Sequence, residues 1–185
     1  MKPLSNRELA LTAALAAVSA VVQLIHIGYQ SPQWGMWIDL VAVSWLIALF
    51  LFGLRSAIFV SLLGFIVITL FAPETWLGAS MKWLATAPMW LSLGLFSKKF
   101  KAYQKISSLI FPLVIGLIIR SIIIIPINYF YAIPIWTGMT PAIAIQTIPW
   151  YIIAAFNSLQ GLIDVFLAWT IVYRFRLNRF AALKP

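Results

Sequence analysis

The stretch from Ile106 to Ile127 reads ISSLIFPLVIGLIIRSIIIIPI and contains one charged side chain, that of Arg120. A helix needs about 20 mostly apolar residues to cross the ~30 Å hydrocarbon core of a bilayer. Lipid cannot satisfy free backbone groups, and the alternating ~10-residue segments of a membrane β-barrel are absent from the sequence. The stretch therefore predicts a transmembrane helix.

The rest of the chain has the same apolar character. Of its 185 residues, 63% are apolar and 9% are charged, whereas a soluble domain carries about 25% charged residues. This composition excludes a cytosolic enzyme, a nucleic-acid-binding protein and a disordered tail. The chain has no cysteine, so disulfides, thiolate metal sites and cysteine nucleophiles are excluded too.

Five further apolar stretches accompany the first. We predict an all-α membrane protein, a six-transmembrane-helix bundle that forms a single domain over residues 1–185. The predicted spans are 9–27, 37–54, 56–72, 81–96, 106–127 and 148–173. No internal repeat is evident, so the inverted-repeat core of many transporters is not indicated.

The basic residues predict the orientation. Of the 13 lysines and arginines, Lys82 and Arg120 fall within spans, and with a cytoplasmic N-terminus all the others lie on the cytoplasmic side. The positive-inside rule then places both the N- and the C-terminus in the cytoplasm. We therefore expect a multi-pass protein of the cell membrane.

Groups suited to catalysis are scarce. The four acids are Glu8, Asp39, Glu74 and Asp164, and the single histidine, His26, has no histidine or cysteine companion for a metal. A Gly-x-x-x-x-Gly-Lys-Ser/Thr phosphate loop is also missing. We expect no enzyme activity, no metal and no cofactor, with any ATP hydrolysis carried out by other subunits.

Polar residues share one face of the sixth span. Asn157, Gln160, Gly161 and Asp164 follow the i, i+3, i+4, i+7 spacing of a helix face. Because amides and charges are costly against lipid, this face should point inward. Two interpretations stay open: Arg120 pairs with Asp164 while the amides join helices, or these groups line a path for a ligand or proton.

Two long outer connections, 28–36 and 128–147, are apolar and contain prolines. We expect them to fold over the outer mouth as a lid, with partial insertion at the membrane interface as the alternative. Six tryptophans lie at or near the predicted outer ends, as in an interfacial aromatic belt. They are Trp34, Trp37, Trp76, Trp83, Trp136 and Trp150.

The first span carries a small-residue face formed by alanines 10, 13, 14, 17 and 20. Such faces allow membrane helices to approach closely. If the face is internal, it packs the first helix tightly against the bundle. If it is external, it provides a docking surface for another membrane protein, which is what we predict for Ala10, Ala13 and Ala17.

Together these features resemble the substrate-binding S component of an energy-coupling-factor (ECF) vitamin transporter, most closely the riboflavin-binding branch. Trp37–Leu40 (WIDL) is similar to the family's Lys-Ile-Asp-Phe, and Phe50–Gly53 (FLFG) closes the second span. Asn128–Trp136 (NYFYAIPIW) resembles the family's Asn-Tyr-aromatic run, and Phe156–Gly161 (FNSLQG) resembles Pro-Phe-Asn-Leu-Leu-Lys-Gly. The alanine-rich first helix is a further landmark.

Three positions depart from the riboflavin-binding pattern. Gln160 stands where that branch usually has a lysine, and residues 64–67 (GFIV) replace a common Lys-Asn pair. Lys82 lies near a position that is usually asparagine, so its charge could replace the missing lysine. The identity of the substrate within the family is therefore an open question at this point.

The resemblance implies a prokaryotic plasma-membrane subunit that captures riboflavin or a similar flat vitamin from outside. It also implies a coupling transmembrane protein and two ATPases as partners, surrounding membrane lipid, and no nucleic acid. Competing interpretations are a stand-alone channel or scaffold protein, or an S component for a different vitamin. The predicted substrate contacts are Asp39, Lys82, Asn128, Asn157 and Gln160, and the predicted lid and stacking aromatics are Tyr29, Trp34, Trp37, Trp83, Tyr129 and Trp150.

Overall fold

The computed structural model describes residues 6–25, 28–31, 36–71, 75–97 and 103–181, which are mostly helical. The helices are α1 (Asn6–Ile25), α2 (Val41–Phe52), α3 (Leu54–Phe71), α4 (Thr75–Phe96), α5 (Ile110–Ile127), α6 (Ile133–Thr137), α7 (Pro141–Thr147), α8 (Trp150–Trp169) and α9 (Asn178–Ala181). A short 3-10 helix, Ile106–Leu109, leads into α5. Segments of π-helix, Asn128–Ala132 and Thr170–Arg174, continue α5 and α8.

Three helical segments within the described ranges are long and apolar enough to cross a membrane. They are Asn6–Ile25, Ile106–Thr137 and Trp150–Arg174. The apolar helices Val41–Phe52 and Leu54–Leu70 are shorter. Apolar helices of this kind confirm the predicted class, a helical membrane protein. The number of spans and the side of the termini stay predictions.

Helix α2 forms the centre of the bundle. Every residue from Val41 to Phe50 is buried, and a helix that is apolar on all sides is one that other helices surround. Its neighbours are α1, α3, α4 and α8. The indole Nε1 of Trp45 donates to the hydroxyl of Ser19 on α1 at 2.8 Å. A Cβ at Gly64 would lie 2.9 Å from that same nitrogen, so a glycine is needed where α3 crosses this contact.

The start of the second predicted span is not helical. Residues Trp37–Asp39 form strand β2, which pairs antiparallel with strand β1 (Gly28–Gln30) so that Gly28 lies opposite Asp39. The helical class stands, but the predicted start of this span at residue 37 is wrong, since α2 begins at Val41. The backbone of Trp37–Asp39 pairs with β1 across the connection and not within its own segment.

The predicted outer connection 128–147 is also largely helical. Both of its prolines, Pro134 and Pro141, lie in the first turns of α6 and α7. The missing N–H of proline has no hydrogen-bonding partner to lose at that position. Helix α4 likewise begins at Thr75, ahead of the predicted boundary at residue 81. Helices α4 and α6 contribute to the wall of the cavity described next.

Candidate functional site

A cavity with a volume of about 680 Å³ lies between α1, the β-hairpin, α4, α5, α6 and α8. This is within the ~300–1,000 Å³ range of pockets that hold small molecules. All five predicted substrate contacts line it, namely Asp39, Lys82, Asn128, Asn157 and Gln160. Residues far apart in the sequence therefore converge on one cavity.

Asp39 and Lys82 form an ion pair in the cavity wall. Lys82 Nζ lies 2.6 Å from Asp39 Oδ2, and the two side chains are only 12% and 11% exposed. The other carboxylate oxygen of Asp39 accepts a hydrogen bond from the Val41 N–H at 2.9 Å, which satisfies a free donor at the start of α2. The pair thus connects the hairpin and α2 to α4.

Gln160 holds the backbone of Asp39. Its Oε1 accepts from the Asp39 N–H at 2.9 Å, and its Nε2 donates to the Asp39 carbonyl at 2.8 Å. The same nitrogen donates to Asp164 Oδ1 at 2.7 Å. Both amide protons of Gln160 are therefore used within the protein. Gln160 positions Asp39, and any effect it has on a bound substrate would act through Asp39.

Arg120 from α5 reaches across to Asn157 on α8. Its Nε and Nη2 both donate to Asn157 Oδ1, at 3.3 and 3.1 Å, while Asn157 Nδ2 donates to the Ile153 carbonyl at 3.0 Å. Asp164 is engaged by Gln160 and forms no ion pair with Arg120. The predicted pairing of Arg120 with Asp164 is therefore not seen, although the amides do join helices. Arg120 and Asn157 also line the cavity, as the interpretation of a ligand path requires.

Gly161 gives the side chain of Leu117 room where α5 packs on α8. A Cβ at this position would lie 3.0 Å from Leu117 Cδ2, which is tighter than most contacts, and at an ordinary 3.4 Å from Arg120 Nη1. The guanidinium therefore lies near α8 at Gly161. Asn128, at the end of α5, donates its side-chain amide to the Ile124 carbonyl at 2.8 Å, which orients that side chain at the cavity wall.

The aromatic wall of the cavity differs from the predicted set. Trp37 lines the cavity together with Trp76, Trp136 and Phe156. Sequence reasoning placed Trp76 and Trp136 in the interfacial belt, because their position near span ends suits that role equally well. Only the fold of α6 and the early start of α4 bring these two rings to the cavity.

The other predicted aromatics that the structure describes do not line this cavity. Tyr29 and Trp150 are 57% and 62% exposed, Trp83 Nε1 donates to Ser61 Oγ at 3.2 Å, and the Tyr129 hydroxyl donates to the Ile148 carbonyl at 2.5 Å. Trp34 and His26 lie outside the described residues. Tyr29 is on the hairpin beside the mouth, so its role in a lid stays a prediction.

Comparison with known proteins finds similarity to a solved structure. No protein-family model matches the chain, and no curated protein matches it. A solved structure, the S component of a bacterial ECF transporter, is 26% identical with a TM-score of 0.71, and the alignment covers 96% of this chain and 98% of that chain. The chain is similar in fold and sequence to an ECF transporter S component. The match confirms the resemblance at the level of a transport subunit, without assigning it to the riboflavin-binding branch.

In an S component, a face that contacts partner subunits must be accessible. Ala10, Ala13 and Ala17 on α1 are exposed, whereas Ala16 and Ala20 are buried. Of the small residues that sequence analysis grouped on one face, Ala20 thus packs inward, since it contributes to the bundle. The other four, Ala10, Ala13, Ala14 and Ala17, are exposed and remain accessible to another membrane helix.

Proposed function

We propose that this chain is the substrate-capture subunit of an ECF-type vitamin importer. The observation that carries the proposal is the cavity, whose wall contains all five residues predicted as substrate contacts. The similarity to an S component over 96% of the chain supports the same role. In this role the chain binds its substrate from outside and releases it inward when docked to ATP-driven partners.

The proposed arrangement is a single domain of six spans with both termini in the cytoplasm. The distribution of the basic residues supports it, because in this arrangement all of them except Lys82 and Arg120 lie on the cytoplasmic side. Those two lie within predicted spans, and both line the cavity. The hairpin and α6 then lie at the outer mouth. A substrate from outside would enter past them.

For the substrate we propose riboflavin or a similar flat vitamin. Trp37, Trp76 and Trp136 offer stacking surfaces in the cavity wall, and aromatic rings contribute both apolar area and preferred stacking geometry. Asn128 and Asn157 supply amides that suit the polar edge of a heteroaromatic ring. Riboflavin is the first compound to test because the sequence resembles that branch most.

The proposed partners are a coupling transmembrane protein and two ATPases. The exposed face formed by Ala10, Ala13 and Ala17 supports this, because small side chains let the helices of a partner approach the backbone of α1 closely. The sequence contains no Gly-x-x-x-x-Gly-Lys-Ser/Thr phosphate-binding loop, so the proposal assigns ATP hydrolysis to the partner subunits.

The proposal is tested by purifying the full chain in detergent and searching for a co-purified small molecule by absorbance and mass spectrometry. Titration with riboflavin, followed by quenching of its fluorescence, then tests the first candidate. We expect a bound vitamin with a Kd well below about 10 μM, as for capture from dilute solution. A protein free of any small molecule that also binds no vitamin would favour a stand-alone channel or scaffold.

A further inference from the structure

We infer that the substrate is one of the flat vitamins other than riboflavin, that it carries a carboxylate or phosphate group, and that Arg120 binds this group. The inference rests on the proposed function, since it names a feature of the substrate for the same cavity. It goes beyond the predicted contacts, among which Arg120 had no assigned role.

Arg120 is a buried cation with unused hydrogen-bonding capacity. Its side chain lines the cavity although the residue is only 2% exposed. Nε and Nη2 share a single neutral acceptor, Asn157 Oδ1, and Nη1 has no hydrogen-bond partner among the described residues. Buried polar groups in proteins are nearly always hydrogen-bonded, and a buried charge is costly without a counter-charge.

The carboxylates of the site do not compensate this charge by direct contact. Asp39 is held by Lys82 at 2.6 Å, and Asp164 accepts from Gln160 without forming an ion pair with Arg120. Asp164 is fully buried and does not line the cavity. The charged residues in the described part of the wall are therefore one acid and two bases.

The guanidinium is also held in a fixed position. The Oδ1 atom of Asn157 accepts from both Nε and Nη2 along one edge of the guanidinium. Arginine presents a rigid planar set of donors that matches the geometry of carboxylates and phosphates. Asp164 and Asp39 act on the guanidinium only from beyond ion-pair distance, so a neutral ligand would leave Arg120 without a contacting anion. An oxyanion would supply both an acceptor and a negative charge in direct contact.

The test uses the full-length protein in detergent, exposed to a small-molecule extract of yeast. The captured compound is released by denaturation and identified by mass spectrometry. It is then titrated beside its neutral form, the primary amide of a carboxylic acid or the dephosphorylated form of a phosphate. We expect the acidic form to bind at least about tenfold more tightly, the size of a lost charge-assisted hydrogen bond.

Two variants place this preference on Arg120. Asn157→Asp keeps the size of the side chain but supplies an internal carboxylate to Arg120, so we expect it to remove the preference for the acidic form. Arg120→Gln should do the same, and Asn157→Asp keeps the test valid if that variant does not fold. Arg174→Gln is the control, because Arg174 is exposed and outside the cavity.

The outcomes separate this inference from the proposed function. Capture of riboflavin itself or another uncharged vitamin would overturn the inference and leave the proposed function intact. An acidic compound that binds Asn157→Asp as tightly as the unaltered protein would overturn it as well. Failure to capture any compound would contradict the proposed function, and the inference would fall with it.

Discussion

The side-chain amide of Gln160 pairs with both backbone polar groups of Asp39, although the two residues are 121 positions apart. The contact joins α8 to the end of strand β2 and so fixes the residue whose carboxylate holds Lys82. Helix α8, the hairpin and α4 are thereby connected at the cavity wall. A substitution at Gln160 is therefore expected to alter the cavity wall by displacing Asp39.

Gln160→Ala should therefore lower the stability of the fold as well as substrate affinity. It removes three hydrogen bonds and leaves the buried backbone of Asp39 without partners, a loss of ~2–4 kcal/mol at typical values for such groups. Thermal unfolding in detergent measures this effect. Leu159→Ala is the matched control, since Leu159 is 48% exposed. Equal midpoints for the two variants would contradict the role of Gln160 as a clamp.

The ion pair between Asp39 and Lys82 should behave as a coupled unit. Asp39→Asn and Lys82→Gln each leave one charge without its partner. The losses in free energy of unfolding of the two single variants should therefore add up to more than the loss in the double variant. We expect a coupling energy of ~1–3 kcal/mol in a double-mutant cycle. Chemical or thermal unfolding of the four proteins measures it. Strictly additive effects would show that the pair contributes nothing.

Asn157→Ala should weaken substrate binding by about 5- to 150-fold, because a buried polar partner is lost and Arg120 is released from its fixed position. The dissociation constant is measured by titration of the captured compound. Ser158→Ala is the control, because Ser158 is next in sequence and does not line the cavity. A change below twofold in a folded Asn157→Ala protein would mean that the polar face of α8 is structural.

Two bulky residues on α1 should separate docking from binding. Ala13→Trp combined with Ala17→Trp is expected to leave substrate affinity nearly unchanged and to abolish uptake in cells, because the rings would hold a partner's helices apart. Ile118→Trp with Ile122→Trp places the same pair on exposed positions of α5 as a control. Normal uptake by the α1 variant would show that this face does not dock a partner.

Hydropathy predicted the main helices because a lipid environment leaves few alternatives for an apolar chain. The stretches around Arg120 and Asn157 are helical as expected. Helical spacing also placed Gln160 and Asn157 on a common face, and both do line the cavity. The wall could thus be predicted where it depends on periodicity within one helix.

Other parts depend on contacts between distant segments. Nothing local in Trp37–Asp39 indicates a strand, because its pairing partner is Gly28–Gln30 across a connection. Proline often ends a helix, but Pro134 and Pro141 each lie in the first turn of one. Arg120 forms hydrogen bonds with Asn157 and no ion pair with Asp164. This pairing depends on how α5 packs on α8, which cannot be predicted from the charges alone.

The most direct test of the central claim is the number of substrate molecules bound per chain, before and after the cavity is filled. Gly78 lines the cavity, and a Cβ built there meets nothing within 4 Å, so Gly78→Trp introduces a bulky side chain at the cavity wall without a clash at its Cβ. Calorimetric titration with the captured compound should give one molecule per chain for the unaltered protein and none for Gly78→Trp, with thermal unfolding as the check on folding. Unchanged binding by a folded Gly78→Trp protein would contradict the assignment of this cavity as the substrate site.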